Sequence, residues 1–163
     1  MPANPHWARW IFASIAKTLN AVADANSIEA IVEGVDDETD VFTEATDHVE
    51  IRISGPFTKE MSGEYRIQMD VNVILTSRFD GKQKNRHAIL TNAGLFHSAM
   101  DQAILIYKYG SAVGDDDSYL GCLVPRSGKN DTVRVIHFGK VDPTDKVKQS
   151  VVDARYEMFL TSS

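Results

Sequence analysis

The chain has 163 residues, of which 43% are hydrophobic and 25% are charged, and it carries a formal net charge of −6 at pH 7. This length and composition are those of an ordinary globular domain that buries its own core, which argues against intrinsic disorder. The negative charge argues against stable nucleic-acid binding, and the single cysteine, Cys122, excludes an intrachain disulfide and a cysteine-based zinc site.

The first residues have neither the basic region nor the cleavage site of a secretory signal. No apolar run approaches the roughly 20 residues that a membrane span needs. We therefore expect synthesis in the cytoplasm, no membrane contact, and a single domain over residues 1–163.

The first predicted element is an amphipathic helix from Pro5 to Asp24. Its apolar residues recur at spacings of three and four, and Asn4-Pro5 supplies a capping side chain and a proline in the first turn. Trp7 and Trp10 stand near its start. They either pack on the sheet or anchor a neighbouring subunit, because tryptophan is enriched at interface hot spots.

A short strand, Ser27 to Glu33, and an acidic loop, Val35 to Asp47, are predicted next. The loop contains six carboxylates and no basic residue, and they include Asp36, Asp37, Glu38 and Asp40. A calcium loop that began at Asp36 would need glycine at its sixth position, where Val41 stands. We therefore interpret the segment as a solvated loop.

The most regular stretch is the thirteen residues Glu64 to Thr76, in which every odd position is apolar and Arg66, Gln68, Asp70 and Asn72 stand between them. Period two is typical of a strand with one buried face, and thirteen extended residues span about 43 Å. The strand His48 to Ser54 alternates likewise, and a nine-residue loop, 55–63, separates the two. The prediction is a projecting hairpin around 48–78. Its second strand outruns the first, so its surplus residues need a further partner, either residues 28–32 or a neighbouring chain.

The spacing changes to three and four between about Asn85 and Tyr109, which predicts one long central helix of about 36 Å that ends at Gly110. Its apolar stripe is expected to lie on the apolar face of the long strand. His97 and Asp101 stand four residues apart on this helix, and we interpret them as part of a solvated face rather than as a catalytic pair.

The C-terminal third is predicted to be mainly strand. A second acidic loop, Ser111 to Ser118, contains Asp115, Asp116 and Asp117, and strands are predicted at Tyr119 to Val124, Thr132 to Lys140 and Ser150 to Leu160. The predicted fold class is therefore α+β. It has a mixed, mainly antiparallel sheet with a long β-hairpin, packed against an N-terminal helix and one long central helix.

None of the common catalytic, phosphate-binding or metal-binding motifs occurs, and the five histidines are scattered over different elements. We therefore expect no enzymatic activity, no cofactor and no metal site. A site assembled from residues distant in the sequence is the one route to catalysis that remains open.

The order of these elements, together with the alternating closing stretch VDARYEMFL, resembles that of the tail terminator and tail-completion proteins of long-tailed bacteriophages. The resemblance covers nearly the whole chain. It implies a structural virion protein, assembled in the host cytoplasm, that forms a six-membered ring at the head-proximal end of the tail tube. Such a ring stops tail growth and joins the tail to the head connector.

The partners implied by the resemblance are other copies of this chain, the tail tube protein, the head-tail connector protein and DNA that passes without specific binding. The candidate subunit-interface residues are Pro56, Phe57, Met61, Trp7 and Trp10. The candidate residues for an acidic lining of the DNA channel are Asp36, Asp37, Glu38, Asp40, Asp115, Asp116 and Asp117. Two alternatives remain: another neck or connector ring, and a small-molecule-binding α+β domain.

Overall fold

The computed structural model describes residues 6–33, 47–61, 64–78, 85–108, 118–126, 133–140 and 147–161. These residues form two helices, α1 (Trp7–Ala25) and α2 (Asn85–Met100), and seven strands: β1 (Glu29–Val32), β2 (Asp47–Met61), β3 (Glu64–Arg78), β4 (Ile104–Lys108), β5 (Ser118–Pro125), β6 (Arg134–Lys140) and β7 (Val147–Thr161). The predicted α+β class is confirmed.

The strands form one curled sheet in the order β1-β2-β3-β7-β5-β4, with β6 added beside β7. β1 runs parallel to β2, and the other pairs are antiparallel, so the sheet is mixed but mainly antiparallel. Three strands of 15 residues each, β2, β3 and β7, make its centre. The far side of β7 is shared, because β6 pairs with residues 148–153 and β5 with residues 156–157.

Both helices pack on one face of this sheet, and that face holds the core. On β3 the alternate residues Ile67, Met69, Val71, Val73 and Leu75 are buried, as the period-two pattern predicts. α2 packs against β3, β7 and β6, while α1 packs against β1, β2 and β4. The expected contact between the central helix and the long strand is therefore confirmed.

α1 touches the strands at both ends of the sheet path, β1 and β4. At β4 it covers the backbone edge, since the Tyr107 N–H donates a hydrogen bond of 3.1 Å to Ser14 Oγ. Covering an edge in this way removes a template for unwanted strand pairing. The helix thus packs on the core and also protects the end of the sheet.

The predicted nine-residue loop, 55–63, is wrong, because residues 55–61 continue β2. The strand contains a bulge at Gly55-Pro56, where one extra residue lies opposite β3 between Ser54 and Phe57. Gly55 has φ +121°, a left-handed backbone that favours glycine. Glycine and proline indicate a turn in a sequence, but a bulge at a sheet edge accepts the same pair.

The predicted surplus of the long strand is also wrong. β2 and β3 pair from Asp47↔Ser77 to Met61↔Glu64, so the two strands are equally long. β7 pairs with β3 over its full length on the other side, and β1 pairs with β2. The tip of the hairpin lies on the far side of Ile67 from the buried residues of β3. β7 pairs with β3 there as well, so the tip has three strands rather than two.

The central helix is shorter than predicted. It ends at Met100, and Ile104–Lys108 is a strand, β4, that pairs with β5. Ile104 stands four residues after Met100, so in the sequence it continues the helical spacing. In the structure Ile104 and Ile106 are both buried, which is the alternation of a strand. Gly110, the predicted helix end, lies outside the described residues.

Candidate interaction surface

We call the sheet face opposite the helices the open face. It carries the even-numbered residues of β3 and the odd-numbered residues of β7, together with their neighbours on β2 and β6. In the described residues no helix packs on it. Its side chains are available to solvent or to a partner.

Ion pairs between neighbouring side chains cross the middle of the open face. They join Arg52 with Glu50, Arg66 with Glu157, Arg134 with Asp153 and Arg155 with Asp70. Each partly exposed pair contributes at most about 1 kcal/mol to stability. Their larger effect is on recognition, because an arginine held by a carboxylate is not offered to the phosphates of a nucleic acid.

Apolar side chains stand on either side of this band of charge. Phe57 and Phe159, toward the hairpin tip, are 53% and 54% exposed, and Val124 lies beside Glu157 on the same side. On β6, Ile136 is 38% exposed on the open face, and Phe138, which lies at a bulge between His137 and Gly139, is 58% exposed. Large apolar groups exposed on a regular sheet are typical of a surface that another protein covers.

Two backbone edges of the sheet have no strand beside them among the described residues. β1 pairs with β2 only at residues 48–51, so the outer edge of β2 is uncovered from Ile53 to Met61. β6 pairs with β7 alone, so the far edge of β6 is uncovered along its length. We call these the β2 edge (residues 53–61) and the β6 edge (residues 134–140).

A shallow groove of about 460 Å³ lies between α1 and β4. It is lined by Ser14, Lys17, Thr18, Ala21, Ala103, Leu105 and Tyr107. The Ser14 hydroxyl already accepts the Tyr107 N–H. The groove therefore offers a small molecule few unused polar groups that could fix its orientation.

The predicted interface residues do not form one cluster. Pro56 and Phe57 lie on the β2 edge, and the backbone of Met61 ends the same strand. Trp10 is 5% exposed, so it offers a neighbouring subunit little surface, and its role at an interface stays a prediction. Trp7 is half-buried against the core cluster. For both tryptophans the alternative of packing within the domain describes the structure.

The predicted channel residues lie outside the described residues. These are Asp36, Asp37, Glu38, Asp40, Asp115, Asp116 and Asp117. His97 and Asp101 are in view: His97 is half-buried, Asp101 is exposed, and the Asp101 N–H donates to the His97 carbonyl at 2.9 Å. This backbone bond closes the helix end and gives the pair no catalytic geometry.

The β6 edge and Val124 were not predicted, because the sharing of β7 between β5 and β6 depends on long-range pairing. Phe159 did carry a signal in the sequence. It occupies a position of β7 that alternates with the buried residues, and the three such positions before it hold Asp153, Arg155 and Glu157. An aromatic residue on a polar face is a sign of an interface.

In the described part of the chain no group of histidine, cysteine, aspartate and glutamate side chains could hold a metal ion. Neither described helix is long and apolar enough to cross a membrane. No protein-family model matches the chain, and no curated protein matches it significantly.

Proposed function

We propose that this protein is a structural subunit of a bacteriophage virion. In this proposal its copies form a six-membered ring at the head-proximal end of the tail tube, stop growth of the tube and join it to the head connector. The observation that carries the proposal is the open face with the two edges that no described strand covers. A rigid sheet with exposed apolar groups and unused backbone groups suits assembly with other proteins.

The packing of the core favours assembly over small-molecule binding. A binding domain of this class would keep a cavity between its helices and its curved sheet. Large side chains fill that space here: Phe96 and Met100 from α2 and Tyr156 from β7 are all fully buried. The groove between α1 and β4 is shallow.

The charges are compatible with DNA that passes without being held. Affinity for a duplex comes from cations that replace the counterions of its phosphates. The arginines of the open face are bound to carboxylates, and the chain as a whole carries a net charge of −6. A ring of such subunits would let DNA slide past at physiological salt.

Deletion of the gene from a phage that carries it tests the proposal. We expect tails of irregular, excessive length and full heads without tails in electron micrographs of the lysate. Wild-type protein supplied in trans should restore both, whereas the core variant Val71→Asp, which should not fold, should restore neither. Tails of normal length joined to heads would refute the proposal.

The same experiment separates the proposed role from that of another neck or connector ring. A ring on the connector side would leave the tail length normal, because nothing at the tube end would be missing, and would leave heads unjoined. Gold-labelled antibody against this protein should mark the upper end of free tails if it is the terminator. Label on free heads would indicate the connector side.

A further inference from the structure

Among the described residues most strand edges are short or covered, and two have no strand beside them. β4 is covered by α1 through Ser14, and β1 is only four residues long. Short or covered edges resist pairing with other chains. The β2 edge and the β6 edge are longer, lie on opposite sides of the sheet, and each carries an exposed phenylalanine, Phe57 on one and Phe138 on the other.

We propose that the β6 edge of one subunit pairs with the β2 edge of a second copy of this chain, head to tail and antiparallel. The sheets of neighbouring subunits then continue into one another. This inference rests on the proposed function, since it names the contact by which the ring closes. A second copy is the occupant that the geometry favours, because repeating one contact uses both edges, whereas a foreign strand would use one.

The strand directions fit this pairing. β2, β3, β7 and β6 alternate in direction, since each of their contacts is antiparallel. β6 therefore runs opposite to β2. When the partner's β6 lies beside β2, the alternation continues across the subunit boundary, and antiparallel strands form the more stable ladder.

The backbone groups at the two edges also point the right way. On β2 the Ile51 carbonyl accepts the Glu33 N–H at 3.0 Å, so residues of β2 whose side chains face the core turn their backbone groups outward. Thr58, level with Ile67, belongs to this set. On β6 the same geometry applies to Val135, level with Val152, because β6 is antiparallel to β2 and lies on the opposite side of the sheet.

The offset between the edges allows a closed ring. Thr58 is level with Ile67 on β3, whereas Val135 is level, through Val152, with Val73. These rows are six residues apart, about 20 Å along the strands, and the four strands are about 19 Å wide. Pairing Thr58 with the partner's Val135 therefore tilts the strands by about 45° to the ring axis, at the upper end of the 35–45° typical of closed barrels.

In this register Phe57 lies beside the partner's Ile136, and each covers apolar surface of the other. Lys59 lies beside the partner's Arg134, whose charge Asp153 neutralises. The register therefore brings apolar side chains together without placing an unneutralised pair of like charges opposite each other.

Disulfide cross-linking tests the contact in a Cys122→Ala background. Phe57 and the partner's Ile136 form a non-hydrogen-bonded pair with Cα atoms about 4.5 Å apart, within the range of a disulfide. Within one subunit the same positions are three strand spacings, about 14 Å, apart across the sheet and six residues, about 20 Å, apart along the strands, which separates them by about 24 Å. Mild oxidation of the Phe57→Cys/Ile136→Cys variant should give a ladder of covalent oligomers that ends at the ring size.

Each single-cysteine variant should give no ladder. Dimers of Ile136→Cys alone would show β6 pairing with itself and would overturn the proposal. The double variant should be oxidised at protein concentrations up to about 1 mM, where a contact with a dissociation constant of about 1 mM is half formed. If no ladder appears at that concentration, the proposal is overturned as well.

A second pair of variants tests the backbone contact. Thr58→Pro removes an N–H that points to the β2 edge and leaves the ladder with β3 intact, whereas Thr58→Val keeps that N–H. We expect Thr58→Pro to weaken self-association at least about tenfold in sedimentation experiments with little change in melting temperature, and Thr58→Val to behave as wild type. Equal association of both variants would contradict the pairing.

The outcomes also separate this inference from the proposed function. A cross-linked ladder from a protein whose deletion leaves tails normal would support the contact and refute the virion role. Abnormal tails on deletion, together with a double-cysteine variant that does not cross-link, would support the virion role and refute this contact.

Discussion

Replacing Tyr156 with Phe tests how the closing strand holds the central helix. Tyr156 is fully buried, and its hydroxyl donates a hydrogen bond of 2.6 Å to the carbonyl of Met100, the last residue of α2. The final carbonyls of a helix have no partner within the helix. The tyrosine supplies one, so that a side chain from β7 fixes the point where α2 gives way to β4.

The phenylalanine ring fills the same space, so the loss is confined to the hydrogen bond and to a carbonyl left unsatisfied in the core. Such a loss costs about 1–3 kcal/mol. In a domain of this size each kcal/mol lowers the melting temperature by about 2–4 °C. We expect a decrease of about 2–12 °C, with a matching shift of the urea midpoint at an unchanged m-value.

The pH dependence gives a sharper test. Burial, and then the charge of Asp101, raise the pKa of Tyr156 well above its usual value near 10. Above about pH 10 the unfolded chain loses this proton while the folded chain keeps it, so the stability that the buried hydroxyl contributes is complete below pH 10 and is lost as the pH rises.

The free-energy difference between wild type and Tyr156→Phe should therefore be constant from pH 7 to 9 and should fall by up to about 1.4 kcal/mol per pH unit above pH 10. Urea unfolding at each pH measures it. A difference below about 0.5 kcal/mol at pH 8, or one that does not fall above pH 10, would refute the assigned role of this hydroxyl.

Three further experiments test the core, the bulge and the acidic loops. Val71→Asp would bury an unpaired charge at a cost of several kcal/mol, so we expect insoluble protein, and a soluble variant of unchanged melting temperature would show that this face is not buried. Gly55→Ala should cost about 1–3 kcal/mol, because its Cβ would lie 2.9 Å from the Gln68 carbonyl oxygen at φ +121°. The matched control is Gly94→Ala on α2, where nothing lies within 4 Å of the added atom and stability should rise by about 0.5–1 kcal/mol; equal effects would contradict the geometry. If the acidic loops line the channel, Asn or Gln at Asp36, Asp37, Glu38, Asp40, Asp115, Asp116 and Asp117 should slow DNA ejection at low salt without affecting assembly, and unchanged ejection would refute that role.

The parts of the fold that follow from local periodicity could be predicted from the sequence. Alternation over Glu64–Thr76 identified the buried face of β3, and the spacing of apolar residues identified α1 and most of α2. Both patterns arise from the contact of one element with the core. They therefore hold whatever the rest of the chain does.

The errors occur where two patterns coincide or where the outcome depends on a distant partner. Ile104 continues the helical spacing of α2 and also begins a strand, and pairing with β5 decides for the strand. Gly55-Pro56 predicts a turn, yet β3 and β7 continue past it for their full length and hold β2 in the sheet as a bulged strand. The candidate contact surface depends on the same long-range pairing, so residues such as Val124 and Ile136 could not be recognised in the sequence.

One part of the β2 edge is protected against pairing with other strands and another part is exposed, and this difference limits how a second subunit can bind. Pro56 offers no N–H, and the bulge distorts the ladder, two devices that guard an edge against promiscuous pairing. They protect the first half of the edge and leave Phe57, Thr58 and Lys59 exposed beyond it. A partner strand can therefore pair with only a few residues, which fixes its register, because a one-residue slip would turn its apolar side chains to the wrong face. A short edge of this kind gives a weak contact between two free subunits, and ring closure, which makes every contact at once, is what would stabilise it.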